Sequence, residues 1–271
     1  MPAPHEASAP RIVGAIPARY GASRFPGKPL ARLDGRPMIE HVVRRARQAD
    51  ALDDVVVLTD DARIADAVRG FGGAVEMTPA DCASGTDRIA WALARWAAGD
   101  GLGAGGAIDA VVNIQGDEPL IEPEAIARVA DHLRDHPAAE MVTLAAPLPA
   151  GALDDPNRVK VVTRLDGDAL YFSRAPIPHA RVDGPASVAP RLHVGLYGYR
   201  RDVLLRLAAL PPAALERTES LEQLRALAHG IAIRVLDVAH AAIGVDTPAD
   251  LARLEAQLSR STPSDPPTPL T

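Results

Sequence analysis

Two spacings of apolar residues take turns along the first half of the chain. Ile12–Ile16 is a short apolar run between Arg11 and Pro17 and predicts a strand. Pro37–Ala49 carries apolar positions at helical spacing and opens on a proline suited to a first turn. Asp54–Thr59, with consecutive valines, predicts a strand buried on both faces. A helix over Ala62–Gly70, stopped by glycines at 70, 72 and 73, leads to a strand at Ala74–Thr78. Then come a helix over Thr86–Ala98, a strand over Ala110–Ile114 and a helix over Pro123–Arg134. This alternation predicts an α/β fold built on a doubly wound, mostly parallel sheet.

The second half is less regular and predicts a smaller mixed subdomain. Met141–Ala146, Arg158–Thr163, Ala169–Ser173, His193–Arg200 and Ile231–Leu236 are expected as strands. Helices are expected over Arg201–Leu210, Glu219–His229 and Thr247–Leu258, the last with Thr247 as N-cap and Pro248 at its first position. Residues 12–258 therefore read as one domain. Met1–Arg11 is expected as a flexible segment, Pro176–Pro190 as a mobile loop, and Ser259–Thr271, with four prolines, as a disordered tail.

Composition narrows the class. With 47% hydrophobic but only 3% aromatic residues, the core must be aliphatic. A net charge of −6 argues against a general nucleic-acid binder, which presents broad basic surfaces. The single cysteine, Cys82, excludes an intramolecular disulfide and any cysteine cluster for zinc or iron–sulfur. No stretch approaches the roughly 20 apolar residues that span a bilayer, and residues 1–11 lack the apolar segment of a secretory signal. No membrane association and a cytoplasmic location are expected.

The cations are concentrated instead. Pro17-Ala-Arg-Tyr-Gly-Ala-Ser-Arg-Phe-Pro-Gly-Lys-Pro-Leu30 follows the first predicted strand and places Arg19, Arg24 and Lys28 beside Gly21 and Gly27. Glycines let backbone N–H groups approach an anion that fixed positive charge neutralises. The C-terminal end of such a strand is where open α/β sheets bind ligands, so a polyphosphate is the expected guest. The loop is not a P-loop, because five residues separate Gly21 from Gly27 and Pro29 follows Lys28. Gly101, Gly103 and Gly106 form a G-x-G-x-x-G that precedes an apolar run instead of following one, and read as a surface loop.

Asp117 and Glu118 stand at the exit of an apolar strand, where a cation would relieve their repulsion. Asp246 sits before the last helix, where it is either a capping carboxylate or, paired with Asp117, a ligand for Mg²⁺.

The loop Pro17–Leu30 resembles the activating loop of sugar cytidylyltransferases. Asn113-Ile-Gln-Gly-Asp-Glu-Pro119, Tyr171-Phe-Ser-Arg174, His193–Arg200, Leu221-Glu-Gln-Leu-Arg225 and Gly244–Leu251 narrow the likeness to the 3-deoxy-manno-octulosonate (KDO) cytidylyltransferase family. The resemblance runs from Ile12 to Leu258. It implies a nucleotide-diphospho-sugar transferase-like fold whose smaller part serves sugar binding and dimerisation. It also implies Mg²⁺, a homodimer, and activation of KDO by CTP for lipopolysaccharide assembly. Arg19, Lys28, Asp117 and Asp246 would then be catalytic, with Asp117 and Asp246 holding the metal. Ala18, Arg19, Arg24, Lys28, Ser84 and Gly85 would bind CTP, although Ser84–Thr86 also reads as a turn and helix cap. Arg174 would meet the sugar carboxylate, and Gln115, His193, Tyr197, Glu219 and Gln223 its hydroxyls. Another acidic sugar, or a non-catalytic nucleotide-binding regulator, remains open at this point.

Overall fold

The first apolar run forms strand β1, Ile12–Ala18, and its side chains divide between two cores. Ile12 and Ile16 join one cluster of buried residues, and Val13 and Ala15 join another on the opposite face. A strand with apolar residues on both faces needs cover on both, which is the doubly wound condition. The computed structural model describes residues 9–21, 24–181 and 188–261. Most of the expected N-terminal segment, the centre of the proline-rich loop and the chain beyond 261 lie outside the described residues.

A two-residue hairpin, β2 (Arg32–Leu33) and β3 (Arg36–Pro37), precedes helix α1 (Met38–Ala46). Then follow β4 (Asp54–Thr59), α2 (Ala62–Gly70), β5 (Ala74–Met77), α3 (Gly85–Ala97), β6 (Ala110–Asn113) and α4 (Pro123–Asp135). The second half holds β7 (Met141–Pro147), β8 (Lys160–Thr163), β9 (Ala169–Ser173), β10 (Arg191–Arg200) and α5 (Arg201–Ala209). It ends with α6 (Ala214–Glu219), α7 (Gln223–Ala228), β11 (Ile233–Asp237) and α8 (Pro248–Ser261).

The main sheet runs β11-β7-β10-β6-β1-β4-β5, with β8 and β9 branching from β10. The β1–β4, β1–β6, β4–β5 and β7–β11 pairs are parallel. Only β10 runs against its neighbours β6 and β7 in this row. Residues of α1, α2 and α4 pack on the Ile12 face, and residues of α3, α5 and α7 on the Val13 face. The order of strand addition reverses at β1, since β4 lies on one side of β1 and β6 on the other. The crevice between β1 and β6, at the carboxyl ends of the strands, is the topological switch point.

Two expectations change. Of the helix expected over Glu219–His229 only Gln223–Ala228 forms, as α7; Glu219 ends α6, and Ser220 between them adopts a left-handed conformation at φ 51°. Arg174 donates to the carbonyls of Glu219 and Ser220, capturing acceptors that a continuous helix would use. The last helix ends at Ser261 instead of Leu258 and has the expected start: Asp250 N–H bonds the Thr247 hydroxyl at 3.2 Å, and the Asp250 carboxylate accepts from Thr247 N. The glycine-rich stretch is a 3-10 turn over Gly101–Gly105.

Below the carboxyl edge lies a fully buried guanidinium. Arg88 on α3 bonds the Thr78 hydroxyl and faces the Asp60 carboxylate at 3.4 Å. Removing one member of a buried pair leaves the other uncompensated. Arg88→Ala should therefore lower the unfolding free energy by about 3 kcal/mol in denaturant titration. A loss below about 0.5 kcal/mol, the scale of an ordinary surface change, would refute this.

Candidate active site

β1 and β6 deliver their ends side by side, with Ala15 opposite Asn113. The loop after β6 is pressed against the end of β1: a Cβ on Gly116 would stand 3.0 Å from the Pro17 carbonyl oxygen, so only glycine fits without displacing backbone. Across the crevice, Ser84 caps α3 in a reciprocal box with Asp87, at 2.9 and 3.0 Å. Gly85, its first residue, lies within contact of the Pro17 ring. The helix thus points its unpaired N–H groups toward the strand end, a setting suited to an anion or a polar base.

These elements enclose a cavity of about 270 Å³. Gln115, Tyr197, Gln223, Arg19 and Gly85 line it. Asn113, Thr86 and Glu222, which lie within the quoted segments without a ligand role of their own, line it as well. Asn113 Oδ1, Glu222 Oε1 and Gln223 Nε2 are buried and have no hydrogen-bond partner among the described residues. Buried polar atoms are normally satisfied, so three such atoms on one cavity identify it as a place for a polar ligand. Asn113 had a sequence signal, a polar residue closing the apolar strand Ala110–Asn113. Glu222 lay within the motif Leu221–Arg225, and it is the break at Ser220 that turns it inward.

β10 supplies the far wall through a bulge. Its pairing with β7 slips between Val194 and Tyr197, and the Thr143 hydroxyl lies within hydrogen-bonding distance of the freed carbonyls of Val194 and Leu196, at 3.2 and 3.0 Å. Gln115 Nε2 donates to Gly195 O at 3.2 Å. Bulges re-aim side chains, and here they set Tyr197 on the cavity. His193 stands beside it, ring centroids 5.4 Å apart, with Nε2 3.1 Å from the Thr143 hydroxyl. Burial pushes the imidazole down to about 3. A depressed folded value means the unfolded chain takes up the extra proton as pH falls below about 6.5. His193 therefore favours the native state less between that pH and about 3, and stays neutral above it. Its imidazole resonances should show no titration between about pH 5 and 8 in an NMR series, where a free histidine titrates near 6.5. An inflection in that range would refute the placement.

The expected sugar ligands Arg174 and Glu219 lie beside the cavity and do not line it. Arg174 donates to Glu219 O at 2.7 Å, Pro156 O at 2.8 Å and Ser220 O at 3.3 Å. The Glu219 carboxylate accepts from Ser173 Oγ at 2.7 Å and Arg174 N at 2.9 Å. Together they brace the α6–α7 break, from which Glu222 and Gln223 reach the cavity. Tyr199 is buried and also borders the cavity. Arg200 ties α4 to β10 through the carbonyls of Leu133, His136 and Ala139.

On the loops that follow β1 and β6, carboxylates and cations meet. Lys28 Nζ lies 2.6 Å from Asp117 Oδ2 and 3.4 Å from Asp246 Oδ1, and Arg24 approaches Asp246 Oδ2 at 3.2 Å. Val245 N donates to Asp117 O at 2.9 Å, fixing the two acidic segments together. Ala18 is buried at the end of β1, and Arg19 donates to the Cys82 carbonyl at 2.5 Å. Glu118 turns inward; burial, and then the neighbouring Asp117, push its carboxyl up to about 8. Among the described residues no three metal-ligating side chains gather. Asp117 and Asp246 nonetheless converge on a single cationic nitrogen, and two hard oxygen donors that share one cation fit Mg²⁺, which typically takes one or two carboxylates plus substrate phosphates.

The comparison with known proteins accords with this geometry. The family model described as cytidylyltransferase matches residues 13–233. The 3-deoxy-manno-octulosonate cytidylyltransferase of Syntrophotalea carbinolica is 54% identical over 257 residues, covering 91% of this chain and 98% of that one. The chain belongs to this cytidylyltransferase family. The Geobacter sulfurreducens relative of the same name is 49% identical over 259 residues, covering 91% of this cytidylyltransferase and 99% of its own length. The solved structure of CMP:2-keto-3-deoxy-manno-octonic acid synthetase complexed with CTP superposes with a TM-score of 0.85 at 43% identity. That match covers 93% of this chain and all of the other, 100%. The family read from the motif loops is thus borne out, as is the largely parallel α/β sheet.

Proposed function

We propose that this cytidylyltransferase transfers CMP from CTP to the anomeric hydroxyl of KDO, releasing pyrophosphate, and so supplies activated sugar for lipopolysaccharide assembly. The observation that carries the reading is the meeting of Lys28 and Arg24 with Asp117 and Asp246, together with a cavity, lined by Arg19 and Gln115 of the same two loops, that holds three polar atoms unpartnered among the described residues. The cationic loop takes the triphosphate, and the lined cavity takes a polar sugar.

In the transfer the anomeric oxygen bonds the α-phosphorus while the bond to the bridging oxygen of pyrophosphate breaks, and the hydroxyl proton passes to water. Catalysis of such a displacement is mostly positioning and charge neutralisation. Lys28 and Arg24 answer the charge that builds on departing pyrophosphate, and Arg19 reinforces them. Gln115, Tyr197, Glu222, Gln223 and Asn113 hold the sugar hydroxyls in line, with His193 as a neutral neighbour. The α3 N-terminus at Ser84 and Gly85 presents backbone groups to the cytosine ring. Mg²⁺ held by Asp117 and Asp246 would lower the pKa of the attacking hydroxyl and neutralise phosphate charge.

A cytoplasmic homodimer belongs to the same reading. The location is supported by the use of CTP, and no helix among the described residues is long and apolar enough to cross a membrane. The dimer is supported by Leu165 and Leu170, large apolar side chains left exposed around the β8–β9 turn.

The deciding experiment measures pyrophosphate release from each of the four nucleoside triphosphates with KDO and Mg²⁺. Release with CTP that depends on KDO and is lost with EDTA is the expected result. Release with another acidic sugar alone would move the substrate, and CTP binding without release would overturn the enzymatic reading.

A further inference from the structure

The loop that carries the three cations is anchored from outside the site. Its ends are closed by a backbone bond, Gly27 N to Tyr20 O at 2.8 Å, and Gly27 sits in the left-handed region at φ 73°. A Cβ at position 27 would stand 3.2 Å from Tyr20 Cζ and from its hydroxyl oxygen, so the glycine backbone rests on the hydroxyl end of the ring. The face of that ring is covered by Arg63, whose guanidinium carbon lies 3.3 Å from the ring centroid. Arg63 does not float there. Its Nε and Nη2 grip the two oxygens of Asp61, at 2.9 and 2.6 Å, and Asp61 is the N-cap of α2, accepting from Arg63 N at 2.9 Å. A planar guanidinium held in a bidentate fork keeps one orientation, which a free surface arginine does not.

We infer that Arg63 is a positioning residue for nucleotide binding: stacked on Tyr20 and locked by Asp61, it fixes the Tyr20–Gly27 closure that aims Arg19 and Lys28 at the triphosphate. The cation–π contact joins α2, on the Ile12 face of the sheet, to the crevice between β1 and β6. Its partner Tyr20 follows Arg19 directly, and Gly27 precedes Lys28. A tilt of the ring therefore moves both phosphate ligands together. Arg63 itself is exposed and touches neither Asp117 nor Asp246, so its effect on the reaction passes through Tyr20 alone.

The inference rests on the proposed use of CTP, and calorimetric titration of CTP in the absence of sugar keeps the two apart. Parent protein that binds no CTP would overturn the proposed function. Parent protein that binds CTP while Arg63→Ala binds it equally would overturn only this inference. The expected result is a dissociation constant for CTP raised about two- to fivefold in Arg63→Ala, the scale of an exposed cation–π contact. In steady state the KM for CTP should rise by the same factor while kcat and the thermal midpoint stay near the parent values, a split that a merely structural residue would not produce. Tyr20→Leu should raise the constant too, and the double variant should be no worse than Tyr20→Leu alone. Fully additive effects would mean that the two side chains act separately, and would overturn the inference. Arg63→Lys, which keeps the charge but not the planar fork, should fall between parent and Arg63→Ala; equality with the parent would overturn the role of the stacked plane.

Discussion

Asp117→Ala is expected to lower turnover about a thousandfold, the scale seen when one preorganised electrostatic group is removed from a transition state, while CTP binding largely survives. The carboxylate stands 2.6 Å from Lys28 and belongs to the pair that converges on one cation. Removing it takes away half of that oxygen set but leaves Lys28, Arg24 and Arg19 free to hold phosphates. Lys28, released from one of its two partners, meets the triphosphate no less readily. Rapid-quench turnover alongside calorimetric CTP titration reads the two effects separately. Turnover within a few-fold of the parent would remove Asp117 from the catalytic set.

Lys28→Ala should fail differently, losing affinity and rate together. Its side chain is 13% exposed, so its charge-assisted bonds act where water screens them little. Bonds of that kind contribute about 1.5–3 kcal/mol, which corresponds to a roughly 10- to 100-fold weaker CTP complex. The rate falls as well, because charge on departing pyrophosphate is no longer answered. Loss of the ammonium also leaves Asp117 and Asp246 facing each other, so added divalent cation should protect this variant against heat more than it protects the parent. Full activity in Lys28→Ala would return the cationic loop to a plain solvated turn.

How far these side chains could be foreseen depends on the range over which each is specified. β4, α2 and β9 have the bounds read from local pattern, because a valine run, a glycine stop and an alternating strand are written within each segment. Thr247, Pro248 and Asp250 likewise spell out a helix start in consecutive positions. The break at Ser220 was not legible, since no glycine or proline marks it and Leu221, Leu224 and Leu227 keep helical spacing from the next residue on. What interrupts the helix is Arg174, an arginine some 45 residues earlier that claims the carbonyls of Glu219 and Ser220. Arg174 and Glu219, through the same contact, brace the wall that holds Glu222. The motifs located the site at the right strand ends, yet they could not say that Lys28 and the two aspartates would share one point. No local rule pairs residues 218 positions apart.

That separation has a consequence for how the protein is made. The cationic loop leaves the ribosome early, Asp117 near the middle of synthesis, and Asp246 among the last residues, although Lys28 must reach both. Domains begin folding from the N-terminal side during translation, so a nascent chain can assemble β1, β4, β5 and β6 while one of its two acidic groups is still unmade. The Lys28–Asp117 pair can therefore form before the Lys28–Asp246 pair, which waits for a much later stretch of chain.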